Sequence, residues 1–430
     1  MTAEIAILNS SGIALAADSA VTIGSQKVYN SANKLFTLSK YHPVGVMIYD
    51  SADLMDIPWE IIIKAYRSKL GKKSFPTLEE YANHFWEHLG NNEYLIPGAS
   101  KEQYIAIQAI SYLNFLFGQL EEKVKEQIGS EGETSLEKTY VIFLDILDEI
   151  DGVIFGAKYI SGFNETDAKE ICDDNKVDFE TLAQQRLGEL FGLLSESDKE
   201  RIYIHISNLF VREKWPLRTS GVVIAGFGET EMFPKIASYL VEGIVGNRVK
   251  KMFNEGKSNI QNKDFVTTIV PFAQDEMVWT FIGGIDPEIS EFAMTYLRNV
   301  FSKYPESLND TKLSENTELL GSVKQKLTED GNSLLQRFNN DLYKFQRQNN
   351  SQPILDMVGV LPKDELAAMA ESLVNLTVFK RKVSKAVETV GGPIDVAVIS
   401  KGDGFIWVKR KHYFKPELNQ HFFSNYYRED

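Results

Sequence analysis

The sequence predicts an α+β fold, and three observations predict it. The chain opens on two short apolar runs, Ala3 to Leu8 and Ile13 to Ala17, separated by the turn cluster Asn9-Ser10-Ser11-Gly12, which is the pattern of a β-hairpin. Near the middle, Gly221-Val222-Val223-Ile224-Ala225-Gly226-Phe227-Gly228 is apolar almost throughout and ends in glycines, as a strand buried on both faces does. Between Pro76 and Pro216 the apolar spacing is helical instead.

In order, Lys34 opens the short apolar run Leu35-Phe36-Thr37-Leu38, and a turn at Tyr41-His42-Pro43 leads to a strand from Val44 to Tyr49. Ser51 or Asp53 is placed to cap a helix running through Pro58 to Gly71, with Trp59, Ile62, Ile63, Tyr66 and Leu70 on one face. Helical periodicity follows over Thr77–Leu89, Lys101–Ile128, Ser135–Ile150, Phe179–Leu194 and Ser197–Phe210. After the apolar run at 221–228, strands are expected at Met232–Val241, Val266–Phe272 and Met277–Gly283. Gly283-Gly284 then leads to a helix from Pro287 to Phe301, with proline suited to a first turn. Tyr304–Gln352 is polar and reads as exposed helices. The helix opening at Leu361 has apolar positions Leu366, Met369, Leu373, Leu376 and Phe379. The chain closes on strand Ile394–Ser400, turn Lys401-Gly402-Asp403-Gly404 and strand Phe405–Lys409.

Composition narrows the function classes. At 430 residues, 43% hydrophobic and 25% charged, the chain is long enough for two or three ordinary globular domains. The net charge of −14, from 46 basic against 60 acidic residues, argues against nucleic acid or an anionic membrane as a general partner. The basic runs Lys380-Arg381-Lys382 and Lys409-Arg410-Lys411 are short and read as solvated element ends. A single cysteine, Cys172, excludes an intramolecular disulfide and fits a reducing compartment. Its acidic neighbours Glu170, Asp173 and Asp174 disfavour a thiolate. With no signal-peptide pattern and no apolar run of membrane-spanning length, a soluble cytoplasmic protein is expected.

Three positions in the first fifty residues carry chemistry. With Met1 removed, Thr2 bears a hydroxyl and a free α-amine on one residue, a complete nucleophile-plus-base unit. An unperturbed α-amine titrates near about 7.7–8.0, so it can accept the hydroxyl proton directly or through one water. The hairpin returns Asp18 to the chain start. Lys34 packed there would lower the proton affinity of hydroxyl and amine, and Asp18 would keep Lys34 charged and oriented.

Counted from Thr2, Asp18 is seventeenth and Lys34 thirty-third, and this spacing resembles the catalytic threonine, aspartate and lysine of proteasome β-subunits and their bacterial relatives. Gly12-Ile13-Ala14-Leu15-Ala16-Ala17-Asp18-Ser19 resembles that family's G-x-x-L-A-A-D-S segment, and Asn33-Lys34-Leu35-Phe36 its lysine-containing strand start. The closing strand-turn-strand is similar too. The resemblance implies a four-layer αββα sandwich of the N-terminal nucleophile hydrolase kind, carrying large helical insertions. On this reading residues 1–73, 219–302 and 361–430 form the core, 74–218 a mainly helical insertion and 303–360 a polar helical one.

The resemblance further implies a threonine-type peptidase or amidohydrolase with Thr2, Asp18 and Lys34 catalytic and a backbone N–H near Tyr49 as oxyanion donor. It implies a peptide or small amide substrate, no cofactor, no metal and a homo-oligomer that could close into a ring; an ATPase partner is left open. Three positions depart from the family pattern. Tyr49, or Ile48 one residue earlier, stands at the oxyanion glycine, Gly283 where a serine helps fix the terminal amine, and Val387-Glu388-Thr389-Val390-Gly391-Gly392 in place of Asp-x-x-Ser-Gly-Gly. A catalytically silent assembly subunit is therefore the alternative.

His84-Phe85-Trp86-Glu87-His88 matches H-x-x-E-H, which sets two imidazoles one turn apart as a zinc hydrolase requires. Glu93 or Glu102 would complete such a site. The stripe Leu78, Tyr81, Phe85 and Leu89 reads more simply as the buried face of an amphipathic helix with the histidines on its flank.

Overall fold

The computed structural model describes residues 2–23, 27–132, 135–214, 219–261, 267–307, 317–384 and 390–427. The sequence readings at Met1, Pro216, Val266 and Val387–Thr389 lie outside the described residues.

The opening hairpin is β1 (Ala3–Asn9) and β2 (Gly12–Ala17), registered from Asn9 opposite Gly12 to Glu4 opposite Ala17. Its two-residue turn is tied by the Asn9 side chain, whose oxygen accepts from Ser11 N at 2.9 Å, the usual way asparagine stabilises a turn. A small ribbon of β3 (Val21–Ile23) and β4 (Lys27–Tyr29) precedes β5 (Leu35–Thr37) and β6 (Val44–Asp50).

The helix expected to start at Ser51 or Asp53 begins later. Asp53–Leu54 (β7) and Ile57–Pro58 (β8) first form a tight two-stranded turn, and α1 runs from Trp59 to Leu70. Met55 and Asp56 sit at φ 52° and 64°, a left-handed backbone that a right-handed helix cannot contain. The face predicted for α1, from Trp59 to Leu70, is buried.

Helices α2 (Leu78–Asn91), α3 (Gly98–Glu131), α4 (Leu136–Phe155), α5 (Glu165–Leu187), α6 (Glu189–Leu193) and α7 (Glu196–Leu209) follow. Thr77 and Ser135 cap α2 and α4, each accepting a backbone N–H at 3.2 Å, as short hydroxyl side chains do. The helix expected from Phe179 to Leu194 instead starts at Glu165 and breaks at Gly188, which has φ 56°. A capping box at Asn164 and Asp167 opens it.

Strands β9 (Ser220–Gly226), β10 (Lys235–Val245), β11 (Arg248–Phe253) and β12 (Thr268–Ala273) come next. β11 was not anticipated, because Lys250 and Lys251 interrupt its apolar pattern. Met277–Gly283, expected as a strand, lies in helix α8 (Glu276–Gly283), where Val278 and Ile282 one turn apart are buried while Trp279 and Phe281 are exposed. The rest comprises α9 (Pro287–Glu306), α10 (Thr317–Gln346), α11 (Gln352–Val360), α12 (Lys363–Val383), β13 (Asp395–Ser400), β14 (Gly404–Lys409) and α13 (Gln420–Tyr427). Of the apolar positions of α12, Leu366 and Leu373 are buried together with Ala367, Ala370, Val374 and Val378, while Leu376 and Phe379 are exposed.

The fold is α+β with antiparallel sheets, in two compact units, residues 1–35 with 263–430 and residues 36–262. The first unit holds the sheet β12-β1-β2-β13-β14. Ile5, Ile7, Ala14, Ala16 and Val396 from the sheet pack with Leu366, Ala370 and Val374 of α12. The second holds the sheet β11-β10-β9-β6-β5, with Val46, Ile48, Val222 and Ile224 packed against Trp59, Tyr66 and Phe85, and a separate helical core including Leu116, Phe143, Phe179 and Ile206. Among the described residues no helix is long and apolar enough to cross a membrane.

Candidate active site

The open end of the opening hairpin builds the site. Glu4 opposite Ala17 is its last pair on one side, and Ala3 stands opposite Ala273 of β12 on the other. Asp18 is the first residue beyond β2. Its N–H donates to Ala3 O at 3.1 Å, and its Oδ1 accepts from Ala3 N at 3.2 Å, so the chain start and Asp18 clasp each other through both backbone and side chain.

Three N–H groups and one ammonium converge on the Asp18 carboxylate. Besides Ala3 N, Oδ2 accepts from Ala20 N at 3.3 Å and from Gly391 N at 2.8 Å, while Lys34 Nζ donates to Oδ1. Asp18 is wholly buried and Lys34 is 5% exposed. A buried lysine needs a carboxylate beside it, and this one has two, because Glu4 Oε1 lies 3.1 Å from the same ammonium.

Thr2 is 3% exposed and is docked through its carbonyl, which accepts from Gln274 N at 3.2 Å. Gln274 is in turn held by Arg381 Nε, 2.6 Å from its side-chain oxygen. Just before Gln274, Ala273 adopts φ 56°, a strained backbone for a residue with a Cβ. Strand alternation puts Thr2 and Glu4 on one face and Ala3, Ile5 and Ile7 on the other; the last three belong to the core under α12.

Glu4 is the electrostatic anomaly. Burial pushes its carboxyl up to about 8; the Lys34 ammonium opposes this, Asp18 adds to it, and the Thr2 side chain acts on it as a hydrogen-bond donor. Neither Glu4 oxygen meets full hydrogen-bond geometry within the protein.

Sequence reasoning missed Glu4 and the Gly391 N–H. The signal for Glu4 was present, as an acid in the middle of an otherwise apolar edge of the hairpin. The signal for Gly391 was not, since it lies 373 residues from the carboxylate it serves.

Tyr49 belongs to the second unit. It stands opposite Gly221 on β9, and its ring occupies the space over that glycine; a Cβ there would lie 2.0 Å from the ring. Gly283 is the last residue of α8, and its carbonyl accepts from Asn350 Nδ2 at 3.0 Å. The histidines of the H-x-x-E-H pattern are engaged with neutral partners, His84 Nδ1 with Tyr66 Oη at 2.8 Å and His88 Nε2 with Asn92 Nδ2 at 3.1 Å. Among the described residues no group of three His, Cys, Asp or Glu is disposed to hold a metal ion.

No protein-family model and no curated protein matches the chain. Among solved structures it is similar to Anbu (ancestral beta-subunit) from Yersinia bercovieri, at 8% identity and a TM-score of 0.27, over 98% of this chain and 94% of that one. It is similar also to a mutant of Anbu from Hyphomicrobium sp. strain MC1, at 7% identity and a TM-score of 0.27 over the whole of both chains. A third is the Anbu complex from Pseudomonas aeruginosa, described as a helical assembly, at 8% identity and a TM-score of 0.27 over 98% of this chain and 93% of that one. At these values the likeness is coarse.

Proposed function

We propose that the chain is an N-terminal threonine hydrolase that cleaves amide bonds, with peptides as the first substrate class and small amides as the second. The observation that carries this reading is a buried lysine paired with a buried aspartate whose Oδ1 also accepts from Ala3 N, the residue next to buried Thr2. Once Met1 is removed, Thr2 Oγ attacks the amide carbonyl carbon and its proton passes to the Thr2 amine. That proton then goes to the leaving nitrogen as the C–N bond breaks, and water hydrolyses the ester. Lys34 lowers the proton affinity around Oγ, and Asp18 holds Lys34 in place.

The Tyr49 backbone N–H as oxyanion donor, the four-layer αββα arrangement, a cytoplasmic homo-oligomer and the five-segment division into core and insertions belong to the same proposal. The cytoplasmic location comes from the cysteine content and the apolar pattern of the sequence, and the others from the sequence resemblance.

Intact-mass spectrometry tests the reading first. Loss of Met1 is expected, and retention overturns the proposal, since no free Thr2 amine would exist. A β-lactone or boronate is then expected to label the processed protein at Thr2, with Thr2→Ala abolishing the adduct. A processed protein that takes no label would favour the alternative of a catalytically silent subunit.

A further inference from the structure

The acyl-transfer scheme uses Thr2, Asp18 and Lys34 and leaves Glu4 without a part. Yet burial disfavours the charged form of Glu4. Its side chain is wholly buried on β1, between Phe272 of β12 and Ala17 of β2, neither of which offers it a charge. A carboxyl in that position is disfavoured unless something compensates it.

The two carboxylates that flank Lys34 are compensated unequally. Asp18 has three backbone N–H donors as well as the ammonium. Glu4 has the ammonium at 3.1 Å and the Thr2 side chain, and no backbone donor among the described residues. The charged groups that bear on Glu4 are Lys34 and Asp18. Two acids with environments this different divide their roles: one stays fixed as an orienting group, and the other gains and loses a proton. Glu4 is also two residues from Thr2 on the same strand face, so its carboxylate faces the hydroxyl that must be deprotonated.

We propose that Glu4 is a second proton acceptor for the Thr2 hydroxyl, acting from the Lys34 side of the site. This deepens, and rests on, the reading of Thr2 as a nucleophile. As Thr2 Oγ bonds to the carbonyl carbon, the Oγ proton moves to the Glu4 carboxylate and the carbonyl π pair moves to oxygen. On collapse the C–N bond breaks and the Glu4 proton passes to the leaving nitrogen, restoring the carboxylate. In the second half, water bonds to the acyl carbon and gives its proton to Glu4, which returns it to Thr2 Oγ as the ester C–O bond breaks. Because the ionised form is the acceptor, reactivity rises as Glu4 deprotonates, near pH 8.

The test is the pH profile of Thr2 labelling by a β-lactone in the full, Met1-processed chain, comparing wild type, Glu4→Gln and Glu4→Asp, with folding checked by circular dichroism. Glu4→Gln is expected to label about a hundredfold more slowly at pH 8.5, the lower end of what a positioned base contributes, and to lose part of the rise between pH 7 and 9. Glu4→Asp is expected to keep a rise at a reduced rate, which covers the case in which Glu4→Gln fails to fold. A Glu4→Gln or Glu4→Asp protein that labels with the wild-type rate and profile overturns the role of Glu4 while leaving Thr2 as nucleophile. A wild-type protein that takes no label at Thr2 overturns both.

Discussion

Glu4 makes a stability prediction that is independent of any reaction. Its carboxyl is raised from 4.5 to about 8 in the folded protein, mainly by burial. The folded state therefore holds this proton more tightly than the unfolded chain does. The resulting stabilisation is complete below about pH 4.5 and is lost as pH rises through about 8. Over that window stability should fall steadily with rising pH, by on the order of a few kcal/mol in all. Glu4→Gln removes the titration and keeps the shape.

Urea unfolding of both proteins at half-unit intervals from pH 5 to pH 9 reads the titration of Glu4 together with its effect on Lys34 and Asp18, the two charged groups that bear on it. The difference in unfolding free energy should move steadily in favour of Glu4→Gln with rising pH and level off above about pH 8. A difference that stays flat, or that moves towards the wild type, refutes the assignment of Glu4 as a carboxyl protonated near neutrality.

Lys34→Met removes the cation shared by two buried carboxylates and should cost about 3–5 kcal/mol. The loss should be larger at pH 9 than at pH 6, where Glu4 is already neutral, as measured by urea unfolding at the two values. In the second unit Lys250 is wholly buried, donating at 2.7 Å to the carbonyls of Leu209 and Lys214 and also to Glu242. Lys250→Met should cost a similar amount, and adding Glu242→Gln should recover part of it in thermal melts. Gly221→Ala drives a methyl into the Tyr49 ring, for a loss of about 1–3 kcal/mol. Combining it with Tyr49→Ala should make the pair less damaging than the two single changes added together.

What was legible in the sequence was local. The hairpin could be read because its alternation and its turn are adjacent in the chain. The position of Asp18 follows from that register, since a residue just past the second strand must return to the first. Helix α8 was misread because Met277-Val278-Trp279-Thr280-Phe281-Ile282 has the β-branched and aromatic composition of a strand. What decides it is burial of Val278 and Ile282 in the core shared with α12, which a short window does not contain. The start of helix α5 is hidden by a first half that is mostly charged, and its local signal is the capping box at Asn164. The support that Gly391 gives Asp18 depends on two ends of the chain meeting, so no spacing rule could reveal it.

Ala273 carries a consequence for how Thr2 is held. The left-handed bend at this alanine costs about 1–2 kcal/mol that a glycine would not. The very next N–H grips the Thr2 carbonyl. Thr2 lies just outside β1, so the stiffness of the backbone it bonds to sets how far it can move. A bend built on alanine is a rigid stop: it costs fold stability and holds Thr2 still, and Ala273→Gly would give a sturdier protein with a looser Thr2.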